Sequence, residues 1–155
     1  MANTFAPFGF RSFGHRDGSA PTMGLSRYFM QSSYATAVYT GDLVSFSSAV
    51  PGTVELTSST VPPAEPPVGV FAGCEYYNSN VGRVVWSSYF PGSVGSSSPV
   101  TTYVIDDPEM QYIAQASTGT IVGSSLMGWN INFTLGTGNA TTGIDFYAFP
   151  GNAGA

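Results

Sequence analysis

The stretch Trp129-Asn130-Ile131-Asn132-Phe133-Thr134-Leu135, "WNINFTL", carries an apolar side chain at every second position. Along a strand, successive side chains point to opposite faces. The segment therefore has one apolar face to set against a core and one face of amides and a hydroxyl. The run "IDFYAF" repeats the pattern, with Ile144, Phe146 and Ala148 on one side. Its other side holds Tyr147 and Phe149, as in a strand covered on both faces.

Outward from this stretch the chain keeps the same style. Short runs of β-branched and aromatic residues are cut by Gly, Pro, Ser and Asn, and no segment holds a helical period with caps. Strands are predicted at "TAVYT", at "DLVSFS" after the turn Gly41-Asp42, at "GTVEL", "VGVFAGCEYY", "RVVWSSYF", "TTYVI" and "MQYIAQ". Pro62, Pro63, Pro66 and Pro67 cannot donate ladder hydrogen bonds, so "SSTVPPAEPPVG" is predicted as an exposed extended loop. "PGSVGSSSPV" reads as a small, flexible connector. A chain of 155 residues can bury a proper core. The prediction is an all-β, single-domain antiparallel β-sandwich or barrel-like fold, of jelly-roll or β-tulip type.

Residues 1–27 are set apart as an N-terminal arm, with residues 28–155 forming the β domain. The arm has no period of 2 or 3.6, yet it holds Phe5, Phe8, Phe10 and Phe13 of the chain's 11 phenylalanines. It also holds Arg11, Arg16 and Arg27, three of the four cations. Such a mixture suits a segment that orders along a partner. The other reading is that it folds back and covers one end of its own sandwich.

Charge narrows the function classes. Charged residues make up 8% of the chain, lysine is absent and the net charge is −5. Four scattered arginines make no basic stripe for phosphates, so neither nucleic acid nor an anionic membrane is predicted as a partner. The sequence shows no basic and apolar leader and no apolar run of membrane length. The glycosylation sequons at Asn132 and Asn139 are read as accidental.

Candidate chemistry is sparse. Cys74 is the only cysteine and His15 the only histidine. Cys74 lies in strand-like "GVFAGCEYY" with no cation nearby in sequence, as a buried small hydrophobe would. His15 sits in "FGHRDG", a setting without the packing a nucleophile's general base needs. The acids of "IDDPEM", Asp106, Asp107 and Glu109, lack the spacing of a calcium loop and read as a solvated hairpin turn between "TTYVI" and "MQYIAQ", with an ion or partner contact as the alternative. "GTGNATTG" lacks the lysine of a phosphate-binding loop. No catalytic residue, cofactor or metal ligand is assigned.

"YTGDLVSFSSAVPGTVEL", the Pro-rich excursion, "VGVFAGCEYYNSN", "YFPG" and "VIDDPEMQYIAQ" together resemble the layout of tailed-bacteriophage head decoration, or capsid cement, proteins. The resemblance covers about residues 1–135. It implies a structural virion protein, made in the host bacterial cytoplasm and placed on the outer capsid surface, where it binds the major capsid protein and stabilises the lattice without catalysing a reaction. It further implies a homo-oligomer touching neighbouring copies of itself, commonly a trimer. Low charge and abundant aromatics fit a chain that spends its life in interfaces. The candidate capsid contacts are Phe5, Phe8, Phe10, Arg11, Phe13 and Arg16. The alternative is a glycan-binding β-module or a tail fibre or spike component, with Trp86, Tyr89 and Tyr76 as the sugar platform.

Overall fold

The computed structural model describes residues 8–19, 24–58, 65–95, 97–116, 127–128, 133, 136–144 and 148–149. Strands alone make up the regular structure of these residues. They are β1 (Arg11–His15), β2 (Leu25–Met30), β3 (Val38–Tyr39), β4 (Leu43–Phe46), β5 (Val54–Leu56) and β6 (Pro67–Asn78). Then come β7 (Arg83–Ser87), β8 (Tyr89–Phe90), β9 (Val100–Ile105), β10 (Met110–Ile113), β11 (Gln115–Ala116) and β12 (Ala148–Phe149). The all-β, single-domain reading is correct. The decisive run at 129–135 lies outside the described residues except for Phe133, as do residues 145–147 of "IDFYAF".

The main sheet has six strands in the order β2-β9-β6-β4-β5, with β7 also on β6. All its pairings are antiparallel. β6 is long enough to serve two neighbours along one edge: Pro67 to Val70 face β4, and Cys74 to Asn78 face β7. The sheet curls until Phe29 of β2 meets Thr53 beside β5 in a single bridge, bringing its two edges together in barrel-like fashion. The pair β3-β8 lies against the core, and β11-β12 is a short parallel pair.

Alternation determines what the curl encloses. Met30, Val44, Phe71, Cys74, Val100 and Val104 point inward and are fully buried, with Val38, Val54 and Phe90 completing the core. The turn before β4 is held as its Gly-Asp predicts: Asp42 Oδ2 accepts from the Tyr39 amide at 2.8 Å. Burying a side chain of this size stabilises the fold by about 1.5–3 kcal/mol.

A second, smaller core lies on the outer face of the same sheet. Val70, Ile105 and Met110 are buried there, beneath Phe10, Leu43, Ala72 and Tyr112. Its cover is the antiparallel pair β1-β10, so residues 11–15 of the predicted arm form a strand against the chain's own domain. β2 likewise begins at Leu25, before the boundary set at residue 27.

The connection at "IDDPEM" also differs from expectation. β9 and β10 do not pair with each other; β9 stays between β2 and β6, and the turn carries the chain onto the outer face to meet β1. Asp107 shapes that turn by accepting the Glu109 amide at 2.9 Å.

Candidate functional site

The β1-β10 ribbon brings most of the candidate contact residues to one place. It is docked by close backbone approach at its start, where the Phe10 amide donates to the Gly41 carbonyl at 3.0 Å. A Cβ on Gly9 would come within 3.0 Å of Gly41 Cα, and Gly9 adopts a φ of +71°. Only glycine suits that position.

From there the residues divide into two roles. Phe10 is half-buried and meets the rings of Tyr112 and Phe133 edge-on, with centroids 6.3 and 6.5 Å away. It is a plug for the second core. Phe13 is 66% exposed. Alternation along β1 puts it on the exposed face with Arg11 and opposite to Phe10, and the ladder slips beside it, where Ser12 pairs with Tyr112 and Gly14 with Gln111. Arg11 and Arg16 are exposed on either side of it in sequence, and the Arg11 guanidinium lies 5.0 Å from the centroid of the Phe8 ring. Phe5 lies outside the described residues.

The far end of β1 is fastened by charge. His15 Nδ1 is 2.8 Å from Asp17 Oδ1 and its Nε2 is 3.2 Å from Asp107 Oδ2. Asp17, and secondarily Asp107, raise the His15 pKa above its ordinary 6.5. Asp17 is pulled down to about 2, chiefly by its hydrogen bonds from Ser19 and then by His15. The Arg16 amide donates to the Glu109 carbonyl at 2.9 Å, while its guanidinium stands 3.8 Å from the Glu109 carboxylate. Exposed pairs of that kind add little.

Asp106, next to this clasp, is occupied differently. Its two oxygens accept from the Ser26 and Tyr28 hydroxyls at 2.9 and 2.8 Å, and that bond raises the Tyr28 pKa. The cavity of about 380 Å³ between the ribbon and the sheet is lined by Phe10, Leu43, Val70, Asp106 and Tyr112, among others. With Asp106 committed to two hydroxyls, it offers mainly apolar shape. Among the described residues, no group of three His, Cys, Asp or Glu side chains is placed to hold a metal ion.

No protein-family model, curated protein or solved structure matches the chain. The surface chemistry must therefore carry the functional reading. The three aromatics considered as a sugar platform do not come together. Tyr76 packs against the inner core, and Tyr89 stacks on Tyr39 with centroids 5.5 Å apart. Trp86 is 62% exposed on the outer face.

Sequence reasoning missed that β2 and β7 bare Phe29 and Val84 on the same sheet face as Trp86. The signal was available in "RVVWS", where Val84 and Trp86 share a parity opposite to that of Val85.

Proposed function

We infer that the protein is a structural virion component that binds the outer surface of a tailed-phage capsid and stabilises its lattice, touching neighbouring copies of itself. The observation that carries this reading is the presentation of Phe13. A bulged strand, clasped at His15 and plugged by Phe10, holds an exposed phenyl ring between two exposed arginines in a chain that has only four cations. Aromatic and arginine side chains are the usual anchors of protein interfaces. Holding them on a paired strand lowers the entropy lost on docking. The resemblance of the sequence to capsid cement proteins points the same way, and repetition over a symmetric shell turns one modest contact into many.

The test is co-sedimentation of the purified chain with heads of the phage whose genome encodes it. The chain should bind and raise the temperature at which those heads disrupt. Phe13→Ala combined with Arg11→Glu and Arg16→Glu should weaken binding by at least tenfold with an unchanged circular dichroism spectrum. Failure of the unaltered chain to bind heads, or full binding by the triple variant, would overturn the reading. Deleting residues 1–14 is a poorer test, because it removes Phe10 from the second core along with the contact residues.

A further inference from the structure

The β1-β10 ribbon covers only one end of the outer sheet face. At the other end the register sets residues side by side across four strands. Phe29 of β2 lies opposite Thr101 of β9, Thr101 opposite Glu75 of β6, and Glu75 opposite Trp86 of β7. One pair further along, Tyr77 faces Val84. On this face Phe29 is 51% exposed, Val84 and Trp86 62% each, and Tyr77 40%.

The fold holds the indole where it is. Ala72 and Gly73 form a bulge opposite Tyr103, and a Cβ on Gly73 would come within 2.9 Å of Trp86 Cζ2. Trp86 thus lies against backbone left bare by glycine.

We propose that this face is where a second copy of the chain docks, the two related by a two-fold axis. The proposal does not depend on the capsid reading. Two observations favour a second copy as occupant. The first is charge. The chain carries a net −5, so like copies meet most readily on a face without excess negative charge. This face sets one cation against one anion: the Arg27 guanidinium lies 5.7 Å from the Tyr103 ring centroid, and Glu75 stands opposite Thr101, on the other side of β9 from Arg27. Arg27 and Glu75 stand on the two strands flanking β9. In a two-fold, self-apposed pair, each Arg27 can therefore lie over the partner's Glu75, and each Glu75 under the partner's Arg27.

The second observation is area. At roughly 150–250 Å² for a whole aromatic side chain, the bared parts of these four residues amount to on the order of 400 Å². With Arg27, Tyr103, Thr101 and Glu75 around them, the face approaches the roughly 800 Å² that each partner gives to a standard interface. An apolar patch of this size marks an interaction site.

Size-exclusion chromatography with light scattering on the full chain tests the proposal. Two copies per particle are expected, falling to one in Trp86→Glu with an unchanged circular dichroism spectrum. Val84→Glu gives the same reading at a site whose side chain is as exposed, should the first variant fold poorly. Arg27→Glu and Glu75→Arg should each weaken association at least tenfold. Mixing those two variants should restore a pair, because the acid introduced at position 27 then meets the arginine introduced at position 75 of the other copy. A single chain at every concentration, an oligomer of any order that persists in both glutamate variants, or no pairing in the mixture would each overturn the proposal.

Discussion

His15 Nε2 lies 3.2 Å from Asp107 Oδ2 although the two residues are 92 positions apart, and that contact joins the end of β1 to the turn entering β10. Asp17 holds the other ring nitrogen, so the imidazolium form donates to a carboxylate on each side. The folded pKa of His15 is raised, so its contribution is complete below the unfolded value of 6.5 and is lost as pH rises through the folded value. Asp17 works in the opposite sense: its contribution is present above the unfolded 3.8 and lost as pH falls towards about 2. The clasp is thus strongest between these limits. In an NMR titration the His15 ring protons should show a midpoint above 6.5. Asp17→Asn should lower that midpoint more than Asp107→Asn, because Asp17 is the larger cause. A midpoint that neither variant moves would mean the clasp does not form in solution.

Phe10 and Phe13, three positions apart, should respond very differently to truncation. Phe10→Ala removes a half-buried ring from the cluster around Val70, Ile105 and Met110. A fully buried phenylalanine costs about 3–5 kcal/mol when cut to alanine, so about 2 kcal/mol is expected here. Phe13→Ala, at an exposed position, should stay within about 0.5 kcal/mol. Urea denaturation followed by tryptophan fluorescence measures both, and equal losses would contradict the opposite faces on which the structure places them.

That contrast shows where the sequence stops being legible. β4, β5, β6, β7, β9 and β10 lie in runs whose alternation or β-branched content marks them, and the Gly41-Asp42 turn was visible as well. β2 was hidden because "LSRYFM" is apolar on both sides, with Tyr28 and Met30 turned inward and Leu25 and Phe29 outward. β1 was hidden because Phe13 is the one large apolar residue in "RSFGH", which leaves no alternation to read. Composition flagged the four rings of the N-terminal segment together. Phe10 and Phe13 fall on opposite faces once the segment is a strand, but which face is covered depends on pairing with Gln111 and Tyr112, about 100 residues away in the chain. Nothing local to "RSFGH" encodes that pairing. The turn at Asp107 was recognised from its own residues, but the strand that β10 pairs with is again a tertiary fact.

Cys74 should be inert in the folded chain. It is fully buried in the inner core, its Sγ sits 3.6 Å from the Tyr89 carbonyl, and burial, helped by the charge of Glu75, pushes its thiol up to about 12. The thiolate is the reactive form, and it is scarce at any working pH below that value. A disulfide reagent should leave the native protein unmodified and label one thiol per chain in denaturant. Rapid labelling without denaturant would show that the curl of the main sheet opens readily.

Gly73 is the point at which backbone and surface are most closely coupled. Its φ of +148° lies in a region that side-chain-bearing residues rarely adopt, and a Cβ there would stand 2.9 Å from Trp86 Cζ2 and 3.1 Å from the Ser87 carbonyl oxygen. Gly73→Ala must therefore strain the bulge, lift the indole off β6, or both. The backbone strain alone is worth about 1–3 kcal/mol. The expected outcome is a loss of stability of that order in urea together with a red shift of tryptophan emission, as the indole moves further into water. If association proceeds through the Trp86 face, the same substitution should also weaken self-association, because the ring is no longer held flat against the sheet. A variant with wild-type stability and emission would place the indole elsewhere and remove the support that glycine gives it.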